Sequence, residues 1–156
     1  MVETVFVDLS AKVEQWNKNT AVAFSDGING TILISKKTKK TARNWLKIQY
    51  PNRSASFYRY SLLSALIYLL LKPNLQEIRL IVVDKDYPGQ ESENQIRSRL
   101  LQFFHREGFH LRGIIISFQE VKGSKADILA RSVFVGERDA DREVSLNEIK
   151  AVFTKR

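Results

Sequence analysis

An α/β fold on a mixed sheet is predicted by three features of the sequence. Three strand-like segments joined by turn residues open the chain. Helix-like and strand-like segments then alternate, and one almost wholly apolar stretch of helix length lies between the two patterns. At 156 residues the chain is of a size to form one domain over 1–156 with a full core, closing on a C-terminal helix at about 145–154. The meander followed by alternation gives a five-stranded sheet of order 3-2-1-4-5 with helices on both faces.

Thr4 to Trp16 reads as extended, although Lys12 to Trp16 permits either strand or short helix, and Asn17-Lys18-Asn19 is turn chemistry. Thr20 to Phe24 and Thr31 to Ser35 are the second and third strands. Between them Asp26-Gly27 and Asn29-Gly30 are dipeptides that favour tight hairpins. Thr41 to Ile48 reads as a short helix ended by Pro51. Ser54 or Ser56 can cap the next helix, which runs to about Lys72 and stops before Pro73. From Leu62 onward its apolar residues cover nearly every face, which predicts a buried central helix with Tyr60 and Tyr68 in the core.

Ile78 to Asp84 is apolar on both faces and rich in β-branched residues, the signature of an interior strand, and Tyr87-Pro88-Gly89 stops it. Ser92-Glu93-Asn94-Gln95 resembles a capping box ahead of Ile96, Leu100, Phe103 and Phe104, with Gly108 placed to end that helix. Arg112 to Gln119 is the fifth strand. Ser124 opens a helix through about Phe134, Gly136 to Glu143 is a polar connection, and Ser145 with Glu148 caps the last helix.

Composition narrows the chemistry. The chain has no cysteine, which excludes disulfides, thiolate metal sites and cysteine nucleophiles. His105 and His110 lack metal-ligand spacing, no serine has a visible His-Asp partnership, and no Gly-rich phosphate loop occurs. Leu62 to Leu71 is too short to span a bilayer, which takes about 20 residues. The first residues lack the basic start and apolar core of a signal peptide, so a cytoplasmic protein without a membrane partner is expected.

The net charge is +8 with a pI near 9.8, which predicts an anionic partner. Lys36, Lys37, Lys39, Lys40, Arg43, Lys47, Arg53 and Arg59 equal the whole excess, and no acid lies between Asp26 and Glu77. Trp45, Tyr50, Phe57, Tyr58 and Tyr60 are interleaved with them. Cations beside aromatic rings suit phosphates and stacked bases, so these eight residues are the expected nucleic-acid surface; a solubilising loop is the alternative.

Alternation puts Asp84 and Asp86 on one face at the C-terminal end of an interior strand, where α/β sheets tend to bind ligands. Turn chemistry before Tyr87-Pro88-Gly89 would also explain them.

Three antiparallel strands followed by helix, strand, helix, strand and helix resemble the ribonuclease H fold. That family places acids on the first strand, in the first helix, at the end of the fourth strand and at the start of the last core helix. The match spans roughly residues 3 to 134. Asp8 in Val-Phe-Val-Asp-Leu-Ser takes the first-strand place, and Asp84 the fourth-strand place. Asp127, in Asp-Ile-Leu-Ala-Arg, resembles the family's Asp followed by Xaa-Leu-Ala-Arg. By resemblance, Asp8, Asp84 and Asp127 would be catalytic and would hold Mg²⁺ or Mn²⁺, with Asp86 in reserve, for phosphodiester cleavage. Ser61 stands where the family's helix Glu would be, so the resemblance also allows an inactive module that grips nucleic acid or a partner. Each acid keeps a second reading. Asp127 can complete a cap with Ser124, Asp8 can lie on a solvated face, and Asp26 can be the first-strand acid in another register. Glu14 would share the face of Asp8 if the first strand ran on without a bulge.

Overall fold

The structure is a computed structural model and describes residues 4–87, 89–106, 108 and 114–154. The opening meander is β1 (Thr4–Ser10), β2 (Thr20–Asp26) and β3 (Ile28–Ile34), all antiparallel. β4 (Leu80–Asp84) adds to β1 in parallel, and β5 (Ile115–Gln119) adds to β4. These five strands stand in the expected order 3-2-1-4-5. The sheet has a sixth strand, however, and its full order is β5-β4-β1-β2-β3-β6. β6 (Arg142–Glu143) pairs in parallel with β3, inside the segment expected to be only a polar connection. Two residues carry no periodicity. Long-range bonds hold them: the Asp141 carboxylate accepts from Thr31 N–H at 3.0 Å, and Thr31 Oγ1 accepts from Asp141 N–H at 2.9 Å.

The hairpin between β2 and β3 turns at Gly27, whose φ of +81° is open to glycine at little cost. Asn29-Gly30 is not a turn. Gly30 lies within β3 opposite Phe24, and a Cβ there would collide with the Phe24 ring. β1 also ends earlier than expected. Ala11 has a φ of +66°, which breaks the extended run, and residues 12–18 form turns.

The helices are α1 (Lys36–Gln49), α2 (Ala55–Leu71), α3 (Gln90–Arg106), α4 (Lys125–Phe134) and α5 (Leu146–Thr154), with a 3-10 turn at Lys72–Glu77. α1 is longer than the expected Thr41–Ile48. Ser35 Oγ accepts from Thr38 N–H at 3.1 Å, so the lysine run forms the first turns of a capped helix. Lysines hide helical periodicity, yet Lys39, Ala42 and Leu46 form its buried face. α3 starts at Gln90, two residues before the proposed Ser92 cap, and the carbonyl of the preceding Gly89 (φ +106°) accepts from Glu93 N–H. Ser54, Ser124 and Ser145 cap their helices as expected. Pro88, His110, Arg112 and Gly113 lie outside the described residues.

Alternation along β2 divides the layers. Val22 and Phe24 join the main core with α2, whereas Ala23 faces Leu129 and Ala130 of α4. Helices therefore cover both faces, with α4 packed against β1, β2 and β3 on the second one. α2 is buried along nearly its whole length, as its sequence implies. Among the described residues no helix is long and apolar enough to cross a membrane.

Candidate metal centre

β1 and β4 run in parallel with Val7 opposite Val83, so the next residue of each, Asp8 and Asp84, emerge side by side at their C-terminal ends. Asp86 follows Asp84 by two residues and returns to the same side. The ligand atoms of Asp8, Asp84 and Asp86 all lie within 4.8 Å of one another. Asp84 Oδ1 accepts from Val121 N–H at 2.8 Å, and Asp8 Oδ1 from Leu9 N–H at 2.8 Å. Asp86 Oδ2 is buried and has no hydrogen-bond partner.

Such crowding of like charge away from water disfavours ionisation. Asp8 is only 5% exposed. Burial, then the charge of Asp84, pushes its carboxyl up to about 8 against the bond from Leu9; Asp86 and Asp127 add to the rise. Asp86 is pushed up to about 7, again by burial first and then by its close approach to Asp84, with Lys12 opposing.

Asp127 joins from the N-terminal turn of α4. Ser124 Oγ accepts its N–H at 3.3 Å, and its own Oδ2 accepts from Gly123 N–H at 2.8 Å. The capping reading of this residue therefore holds, and it also lies within hydrogen-bonding reach of Asp8. Arg131, one turn on, sits 3.8 Å from Asp127 Oδ2. The tightest triad is thus Asp8, Asp84 and Asp86, with Asp127 on the wall of the same cavity.

That cavity measures about 480 Å³, and exposed Lys12, Lys85, Lys122 and Arg131 rim its acidic floor. The sequence reading did not single out these four. The signal was available: Lys85 separates Asp84 from Asp86, and Arg131 lies one helical turn after Asp127.

Other expected residues lie elsewhere. Asp26 is exposed at the β2 hairpin, where its carboxylate accepts from Gly27 N–H. Glu14 does not share the strand face of Asp8, because the chain turns at Ala11. Its carboxylate instead accepts from Tyr87 Oη–H at 2.6 Å. Ser61 lines a different pocket, between α2, α3 and α5, so its position is not that of a missing fourth ligand.

Lys39 cannot reach a phosphate. It is fully buried, and its ammonium donates to Thr20 Oγ1 and Gln15 O at 2.9 Å and to Val13 O at 3.3 Å. Burial lowers its pKa to about 8. Lys36, Lys37, Lys47 and Arg53 are exposed, and Lys40, Arg43 and Arg59 are half-buried. Arg43 lies 4.6 Å from the Trp16 ring centroid and Arg59 5.0 Å from that of Tyr60.

An all-oxygen donor set of three carboxylates, one atom of it unpartnered, could hold a metal ion, and oxygen donors suit hard cations. Neither protein-family models, nor curated proteins, nor solved structures match the chain.

Proposed function

We propose that the chain is a ribonuclease H-like protein that binds nucleic acid and cleaves phosphodiesters with the help of divalent cations. The observation that carries the reading is the convergence of Asp8, Asp84 and Asp86 at adjoining strand ends, with Asp127 delivered from a helix start. Residues about 120 apart in sequence meet there, and the family resemblance assigns acids to three of those places.

In this reading Asp8, Asp84 and Asp86 hold the cation, and Asp127 supports it from the wall. The bound ion would supply Lewis-acid stabilisation of phosphoryl oxygens and a more acidic water. The chain's own contribution is positional. Val121 N–H orients Asp84, and Leu9 N–H orients Asp8. Lys12, Lys85, Lys122 and Arg131 give a phosphate backbone cationic contacts around an acidic floor. Without cation, burial and the charge of Asp84 favour the protonated form of Asp8 at neutral pH, which lessens the repulsion; a bound cation would favour loss of that proton. Lys36, Lys37, Lys40, Arg43, Lys47, Arg53 and Arg59 extend the cationic surface over α1 and the start of α2.

A second reading, a binding module without cleavage, is favoured by the absence of any acid from 27 to 76, which leaves α2 without a carboxylate for the centre. A cleavage assay separates the two. Single-stranded, duplex, hybrid and branched nucleic acids are incubated with Mg²⁺ or Mn²⁺, with Asp84→Asn as control. Cation-dependent products lost in the variant support the enzyme. Binding of the same substrates without products supports the module.

A further inference from the structure

We infer that the pocket between α2, α3 and α5 is a second site, which takes a phosphate monoester in the grip of Arg53 and Arg99 with Ser61 at its floor. Among the described residues the pocket shares no lining residue with the carboxylate cavity and is lined by no acidic side chain. The inference goes beyond the proposed cleavage and shares only Arg53 with the cationic surface proposed above.

Three observations converge. The first is paired positive charge without a counter-ion. The guanidinium carbons of Arg53 and Arg99 lie 4.9 and 4.6 Å from the centroid of the same ring, Phe57. Among the described residues neither forms a salt bridge. Arg99 is half-buried, and burial followed by the charge of Arg53 lowers its pKa. A cation partly withdrawn from water beside a second, exposed one is costly unless an anion joins them.

The second observation is an orphaned hydroxyl. Ser61 is 1% exposed and lines this pocket, yet its Oγ has no partner. Buried hydroxyls are nearly always bonded, and this one is free to donate to an oxygen arriving between α2 and α3.

The third is size and shape. The cavity holds about 270 Å³, at the small end for ligand pockets, and buried Ser61 and Phe103 are part of its lining. So small a space suits a terminal group better than a backbone running through. A monoester carries roughly −1.5 to −2 at neutral pH, more than a diester's single charge, and so matches two arginines. Tyr50 and Phe57, their ring centroids 5.7 Å apart, form an apolar wall beside the arginines for an attached sugar or base. The chemistry is that of a phosphorylated nucleic-acid end or of a free nucleotide.

The test uses the full chain in EDTA, so that the carboxylate centre takes no part. Fluorescence anisotropy compares one oligonucleotide bearing a 5′-phosphate, a 3′-phosphate or neither, and inorganic phosphate and adenosine 5′-monophosphate serve as competitors. A phosphorylated end should bind roughly tenfold tighter, the worth of one or two charge-assisted hydrogen bonds. Both competitors should erase the difference, and inorganic phosphate alone should raise the melting temperature. Arg99→Gln should abolish the preference. Ser98→Glu, which places a carboxylate on an exposed residue at the pocket mouth without touching the core, should do the same. Both variants should keep the wild-type response to Mn²⁺. Tighter binding of the monophosphate than of the strand end would mark a nucleotide site, and the reverse a strand-end site. Equal affinity for all three oligonucleotides with no melting shift from phosphate would overturn the inference, as would a preference that survives both variants. Failure of the cleavage assay would leave each of these outcomes unchanged.

Discussion

The carboxylate cavity and the arginine pocket both concentrate like charge, but they do so on different scaffolds. In the first, strand register forces the charges together: once Val7 is opposite Val83, Asp8 and Asp84 have no choice but to adjoin. In the second, side chains from different helices and a connecting loop lean on one ring, Phe57. Carboxylates can relieve their repulsion by taking up protons, and Asp8 and Asp86 do so near neutral pH. Arginines cannot deprotonate in this range, so relief there must come from an anion. The same electrostatic problem would thus give the proposed cation site a pH dependence of its own, whereas the side chains of the proposed anion site do not titrate.

The sharpest break between the two regions should be catalytic. Asp84→Asn should lower cation-dependent cleavage by more than about a hundredfold, since the loss of even an outer partner of a metal costs 10–100-fold. Arg99→Gln should leave cleavage of an unphosphorylated substrate within about threefold, a difference of well under 1 kcal/mol. Gel-based initial rates measure both.

A third cation sharpens the contrast between buried and exposed charge. Lys39→Ala removes the donor shared by Val13 O, Gln15 O and Thr20 Oγ1 and should cost about 3 kcal/mol in urea unfolding. Replacing Lys36, Lys37 and Lys40 together with Gln should cost little stability. It should lower the slope of log affinity against log salt on duplex DNA by up to about 3.

The pH dependence carries a definite sign. Asp8 and Asp86 have folded-state pKa values of about 8 and 7 against 3.8. Their contribution is fully present below 3.8 and is lost as pH rises through those folded values, so the folded state is favoured on the acid side of that window. In EDTA the melting temperature should therefore fall between pH 5 and 8 on their account, and Asp8→Asn should flatten that fall. Arg99→Gln should not alter its slope. The smallest effect concerns Ala11 beside the carboxylates, with its φ of +66°. Ala11→Gly should stabilise by roughly 1 kcal/mol, the cost of left-handed backbone for an L-residue.

Much of this was legible because the deciding interactions are local or periodic. Alternation in Leu80–Asp84 marks an interior strand and places Asp84 and Asp86 on one side, and Ser54, Ser124 and Ser145 announce their helices. What escaped is tertiary. β6 exists through bonds between Asp141 and Thr31, 110 residues apart. Lys39 looks like one more surface lysine until turn carbonyls surround it. Ser61 matches the family's helix Glu by spacing alone, and only packing shows that it faces α3 and α5. The arginine pocket was only half legible: Arg53 and Phe57 lie four apart in the basic, aromatic stretch, whereas Arg99 belongs to α3 and nothing in the sequence ties it to them.

The central claim is that Asp8, Asp84 and Asp86 form a cation site that stores protons when no cation is bound. Isothermal titration of the full chain with Mn²⁺ at pH 7, repeated in buffers of different ionisation enthalpy, tests it directly. The account predicts saturable binding with about one proton released per ion, and loss of both in Asp84→Asn. Binding without proton release, or no binding while Asp84→Asn and the wild type remain equally folded, would contradict it.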